Sequence, residues 1–144
     1  VAVTWTDKGL DAALARLKEL RNLGLHVGTF EPKVMTYALI VEHERPFLRN
    51  VAFEQRAAIG RALTDAVKLI IKGADTVGRL SSAGKFLAGA VRRKIETASA
   101  WAKPLAASTI RRKGHARPLV DSRDLVDSIG WQVHKDGAIV AEGK

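Results

Sequence analysis

The chain has 144 residues, enough for one domain with a real core and short for two, so a single domain over 1–144 is expected. Apolar residues make up 47% and charged residues 27%, no stretch reaches the ~18 apolar residues of a membrane span, and the lack of cysteine excludes disulfides and thiolate metal sites. The net charge of +9 is unevenly placed: Arg45 to Lys94 carries eleven Lys or Arg against Glu54, Asp65 and Asp75, and 103–117 adds five basic residues and no acid. Such a surface concentrates polyanions. The N-terminus has no signal-peptide pattern, so a soluble cytosolic product is the expectation.

In chain order, Leu10, Ala13, Leu14, Leu17 and Leu20 recur at helical spacing and predict a helix from about Asp7 to Leu23. Asp7 would cap its start and Gly24 its end, and a single apolar stripe would cover a sheet. "LHVGTF" (25–30) reads as a strand, "EPK" as a turn, and the nearly continuous apolar "VMTYALIVEH" (34–43) as a central strand covered on both faces. After Pro46 a long helix is predicted from Asn50 to Lys72 on a stripe of Phe53, Ile59, Leu63, Val67 and Ile70. "GADTVGRLSSAGK" (73–85) reads as a loop. A second long helix follows from about Ser82 to Trp101, with Leu87, Val91, Ile95 and Ala98 inward; Gly84 and Gly89 weaken its first turns. "LAASTIRRK" is a short helix ended by Gly114, and Asp121 or Ser122 would cap another turn. Asp136-Gly137 between two alternating runs predicts a closing hairpin. The sum is an α+β fold: a small, mainly antiparallel sheet packed against two long helices, with short C-terminal helices.

Residue patterns that carry chemistry are scarce. His26, His43, His115 and His134 lack the spacing that places two ligands on one face, and zinc wants three or four. Glu42 and His43, adjacent in a strand, would point to opposite faces and form no acid–base dyad. "GRLSSAGKFLAG" superficially resembles a phosphate loop but lacks the spaced glycine and the Ser/Thr after Lys85. Asp121, Asp124 and Asp127 are explained by capping and solvation as readily as by a cation. A small hydrolase using Asp121, Asp124 or His115 is therefore the weak reading. No catalytic residue, metal ligand or cofactor is expected. The aromatics are too dispersed for a base-stacking platform, so any nucleic acid would be met through its phosphates.

Two segments carry a family resemblance. "YALIVEHERPFLRNVAFEQRAAIGRAL" resembles the "YA…E…RPFLR" stretch of small neck proteins of long-tailed bacteriophages, the tail-completion or head–tail joining (virion morphogenesis) proteins. "KPLAASTIRRKGHARPLVDSRDLVDSIGWQV" is similar to their "PL…STI.RKG…PLIDTG.L..SI…V" stretch. Arg45, Pro46, Phe47, Leu48 and Arg49 match the first motif; Pro118, Leu119, Val120, Asp121, Leu125, Ser128 and Ile129 match the second. The chain departs from the pattern in two places. Ser122-Arg123 stand where the family has Thr-Gly, which is expected to change the turn. Glu42 is followed directly by His43-Glu44-Arg45 where the family has a glycine-containing loop.

The resemblance implies a non-enzymatic structural protein of the virion neck, assembled in the host cytoplasm. It would form a homo-oligomeric ring, a hexamer or higher, between the portal-side head connector and the tail tube or tail terminator. Arg45, Pro46, Phe47, Leu48, Arg49, Pro118, Leu119, Asp121 and Leu125 become candidate interface residues, and Phe47→Asp is expected to block assembly while leaving a folded monomer. Genomic DNA would be met without sequence readout, and Lys68, Lys72, Lys85, Arg92, Arg93, Lys94, Arg111, Arg112 and Lys113 are the candidate DNA-facing residues. No membrane partner is implied. The competing reading is a sequence-neutral nucleic-acid-binding module acting as a monomer or dimer.

Overall fold

The computed structural model describes residues 9–116 and 123–144. Its elements run α1 (Leu10–Leu20), β1 (Leu23–Thr29), α2 (Pro32–Glu44), α3 (Phe47–Glu54), α4 (Arg56–Ile71), α5 (Thr76–Glu96), α6 (Ala98–Trp101), α7 (Ala107–Lys113), α8 (Asp124–Ser128), β2 (Ile129–Lys135) and β3 (Ala138–Gly143). The strands form an antiparallel sheet in the order β1-β2-β3. The fold is α+β, as the residue pattern predicts.

Alternation in "IGWQVHK" builds the middle strand: Ile129, Trp131 and Val133 are buried, while Gln132 and His134 face outward. Opposite them, Leu25 pairs with Val133 and Val27 with Trp131, so the inner face of β1 is apolar too. The hairpin forms where Asp136-Gly137 predicts it. Both residues have positive φ (51° and 83°), the geometry of a type I′ turn. Helix α5 lies across the inner face, burying Leu80, Ala83, Gly84, Ala88, Val91 and Ile95. Phe47, Ile70, Ile95, Ile129 and Val133 are the largest fully buried side chains.

Several boundaries differ from the sequence expectation. The 34–43 run is the helix α2, not a strand. Pro32 occupies its first turn, where a missing N–H and a fixed φ favour helix, and Val34, Ala38 and Val41 are buried at i, i+4, i+7. The "EPK" turn is thus the start of α2, with Glu31 at the N-cap. The 50–72 helix is two helices, α3 and α4, broken at Gln55 (φ −97°, ψ 7°). Of the expected 73–85 loop only 73–75 is a connection; from Thr76 on the segment is the first half of α5, whose N-cap Asp75 carboxylate accepts from the Gly78 N–H at 2.8 Å. Gly84 sits in that half because an added Cβ would lie 2.9 Å from Trp131 Cβ: the helix can approach the sheet only without a side chain there. The chain then turns at Thr97, so the 82–101 helix ends earlier and continues as α6. Gly114 ends α7 in the left-handed conformation, as expected.

Helix α1 is shorter than predicted and does not cover the sheet. Gly24 lies inside β1 rather than at its C-cap, and the expected Asp7 cap falls outside the described residues. The helix rests on α4, where Arg16 Nη1 donates to the Ile71 carbonyl at 2.9 Å. Ala13, Arg16 and Leu20 are its half-buried positions, about 90° around the helix from the leucine stripe. Leu10, Leu14 and Leu17 stay 54%, 43% and 37% exposed. Lys135 Nζ meets Glu19 Oε1 at 2.7 Å and ties α1 to the hairpin; this hydrogen bond holds the ammonium above its ordinary pKa.

Candidate functional site

The "RPFLR" corner joins α2 to α3 and is organised by Glu42. Its carboxylate accepts from the backbone N–H of Leu48 (2.8 Å) and of Arg49 (3.0 Å), two orphan donors in the first turn of α3. Arg49 closes the loop: its Nε donates to Glu42 Oε1 at 3.2 Å and its Nη2 to the Glu42 carbonyl at 2.8 Å. No strand places Glu42 and His43 on opposite faces. They are successive helical residues, and Glu42 is committed to capping. Arg45 reaches across to the Lys103 carbonyl (3.4 Å) and lies 3.6 Å from Glu44.

This corner is mostly internal. Phe47 is 0% exposed and Leu125 is buried in the same core cluster, so neither presents side-chain surface to a neighbour. Leu48 packs partly against that core, and Pro46 is half-buried. Phe47 is therefore a core residue and not the assembly contact expected of it: an apolar ring at the connection between two helices fills the space beneath them. Pro118, Leu119 and Asp121 lie outside the described residues.

The apolar surface lies elsewhere, and sequence periodicity missed it. Helix α2 buries only one side, leaving Leu39 and Ile40 68% and 58% exposed, with Met35 and Tyr37 also open to solvent. Met35 and Leu39 line one wall of a cavity of about 480 Å³ whose other wall is the outer edge of β1, with Leu25, Val27, Phe30 and Leu48 around it. Leu14 and Leu17 of α1 form a second exposed apolar face.

The basic candidates differ in how far the fold engages them. Lys94 is internal to the fold: its Nζ meets Glu54 at 2.6 and 2.8 Å and sits 4.8 Å from the Trp101 ring centre. Arg92 donates to the Ile129 carbonyl at 2.6 Å, fastening α5 to β2. Lys68 lies 3.9 Å from Asp65. Lys72, Lys85, Arg93, Arg111 and Arg112 are exposed, and Lys113 is half-buried at the end of α7. Lys72 and Lys68 lie on the side of α4 away from the core.

The fold brings together one pair that sequence spacing could not reveal. His26 and His134 meet across β1 and β2 with ring centres 4.3 Å apart and planes tilted by 39°, next to Gln132 and Glu142. Among the described residues no group of three or more His, Asp or Glu side chains is placed to hold a metal ion. A trough of about 770 Å³ runs between the end of α2 and the 103–109 segment, its polar lining from His43, Glu44, Arg45 and Lys103 matched by an apolar one from Pro104, Leu105 and Ala106. Among the described residues no helix is long and apolar enough to cross a membrane.

Arg123, at the position where the family pattern has glycine, has φ 65°, ψ −1°, the left-handed region that favours glycine. Its guanidinium is 3.5 Å from Glu96 and 3.8 Å from Asp127. Compared with models of known protein families, with curated proteins and with solved structures, the chain matches none.

Proposed function

We propose that this chain is a structural assembly protein of the phage-neck type, a ring-forming subunit that joins a head connector to a tail. The observation that carries the assembly reading is the pair of exposed apolar faces, Leu14/Leu17 on α1 and Leu39/Ile40 with Met35 on α2. A monomer exposing several large apolar side chains along two helices has surface to bury, and contiguous patches of this kind mark interaction sites. The two faces belong to different elements and are not the same patch. A contact of one against the other is heterologous, and heterologous contacts close into rings when the rotation allows. Support for the family comes from Arg123, since the backbone keeps a glycine-type conformation where the resembled motif has glycine.

The test is mass and shape in solution. Sedimentation and negative-stain microscopy over a range of protein concentrations should give a closed ring for the native chain. Leu14→Asp and Leu39→Asp should each give a folded monomer, because both positions are exposed. A native chain that stays monomeric at every concentration would refute the reading. The second reading, a sequence-neutral nucleic-acid-binding module acting as a monomer or dimer, is favoured by the acid-poor outer face of α5; a small species that binds DNA tightly and forms no ring would select it.

A further inference from the structure

We infer that the outer face of α5 is the DNA-contacting surface, that it grips the phosphate backbone of duplex DNA through Arg79, Lys85 and Arg93, and that it reads no sequence. This rests on the phage-neck reading, under which genomic DNA is the polyanion the ring would meet. The structure makes the surface by extending α5 back to Thr76. Arg79, which otherwise falls in a loop, thereby joins Lys85 and Arg93 on one helical arc. At about 100° per residue, these three fall within roughly 120° of one another, opposite the buried side carrying Leu80, Gly84, Val91 and Ile95.

The arc is built for a close, extended approach. Ser82 and Gly89 lie between the cations together with the exposed Phe86, so most of its floor is small and one aromatic ring stands in it. The Arg93 guanidinium reclines over Gly89, with Nη1 3.6 Å from where a Cβ would stand. From Arg79 to Arg93 the helix rises about 21 Å, a span over which one strand of B-DNA presents about six phosphates. Among the described residues none of the three cations has a carboxylate partner. The acids nearest the helix are committed elsewhere: Asp75 caps Gly78 N–H, Glu54 holds Lys94, and Glu96 faces Arg123.

That charge pattern selects among polyanions. A row of fixed cations over a small floor complements a regular line of phosphates. A lipid surface would call for an apolar flank of several side chains, and of the large apolar residues of α5 Phe86 alone is exposed, within the row itself. Lys94 and Arg92, being engaged within the fold, contribute little.

The experiment is fluorescence anisotropy of a short random-sequence DNA duplex across a salt series. The native chain is compared with the triple variant Arg79→Gln, Lys85→Gln, Arg93→Gln. A second triple variant, Lys18→Gln, Arg21→Gln, Lys33→Gln, removes the same net charge from other exposed positions. The first triple should make the slope of log affinity against log salt shallower by about 2.7, or 0.9 for each phosphate no longer neutralised, and the second should leave it nearly unchanged. Equal effects from both triples, an unchanged slope in the first, or no salt-dependent binding by the native chain overturns the inference, as does binding of an acidic protein with no binding of the duplex. Sedimentation of the same variants separates this from the assembly reading: the α5 triple should keep the native mass, whereas Leu39→Asp should lose the mass and keep the slope per subunit.

Discussion

Replacing Gly84 and Gly89 of α5 by alanine should change stability in opposite directions, although the two lie in one helix and the substitution is the same. On propensity alone each change gains about 1 kcal/mol, because glycine is that much worse than alanine in a helix interior. At Gly89 nothing opposes the gain. The nearest atom to a new Cβ is Arg93 Nη1 at 3.6 Å, an ordinary contact with the end of a flexible side chain. At Gly84 the new Cβ would lie 2.9 Å from Trp131 Cβ and Cγ and 3.0 Å from Leu25 Cδ1. Trp131 is buried on the central strand, and its Cβ cannot move without the backbone of β2. Overpacking of this kind costs about 1–3 kcal/mol, and three simultaneous close contacts place it at the upper end. Gly84→Ala should therefore be destabilising by about 2 kcal/mol net and Gly89→Ala stabilising by about 0.5–1 kcal/mol. At about 3 °C per kcal/mol for a chain of this size, thermal melts should separate the two variants by about 8 °C. Urea titrations at unchanged slope would confirm that the folded state is what moved. Shifts of the same sign would refute the seating of α5 on β2 at Gly84, and with it the register of the helix from which the basic arc is derived.

Glu42→Ala removes the carboxylate that satisfies two N–H groups at the start of α3, and should cost about 2 kcal/mol in denaturant titration; a cost below about 0.5 kcal/mol would mean that solvent caps the helix equally well. Phe47→Asp buries a charge at a position that is 0% exposed, so the variant should fail to fold, seen as loss of the near-ultraviolet dichroism and of a cooperative melt, rather than give the folded monomer expected from the motif alone. Arg123→Gly relieves the left-handed strain at φ 65° at the loss of two exposed ion pairs worth little, and should be stabilising by up to about 1 kcal/mol in a thermal melt. Asp75→Ala should cost about 1 kcal/mol through loss of the cap on Gly78, measured by the same titration.

The readable parts of the fold are those whose physics is local. The hairpin needs only two residues that accept positive φ between alternating runs, and Asp136-Gly137 supply them. Gly114 stops α7 for the same kind of reason. What a linear reading misplaces depends on a distant partner. Gly78, Ser81, Ser82 and Gly84 look like a loop because their small size serves no purpose within the segment; Gly84 becomes intelligible only against Trp131, which the chain reaches much later. Lys94 and Arg92 look like free surface charge until Glu54 and the Ile129 carbonyl arrive beside them. The basic arc of α5 is hidden for the same reason, since Arg79 joins it only when the helix starts at Thr76.

Helix α2 is the most instructive case. Its run "VMTYALIVEH" is apolar almost all round, and in a single chain the cheapest account of such a run is a strand covered on both faces. The segment is a helix, and its own core needs only Val34, Ala38 and Val41 from it. The remaining apolar residues, Leu39 and Ile40 foremost, then stay exposed. Core burial and assembly draw on the same residue types, so the pattern records the total apolar demand on a segment without saying which molecule meets it. The surplus that imitates a buried strand is thus the same surplus that argues for a second subunit. If Leu39→Asp yields a stable monomer with the native fold, that surplus belongs to an interface; if it unfolds the chain, α2 is held by its outer face as well, and the case for assembly through it falls.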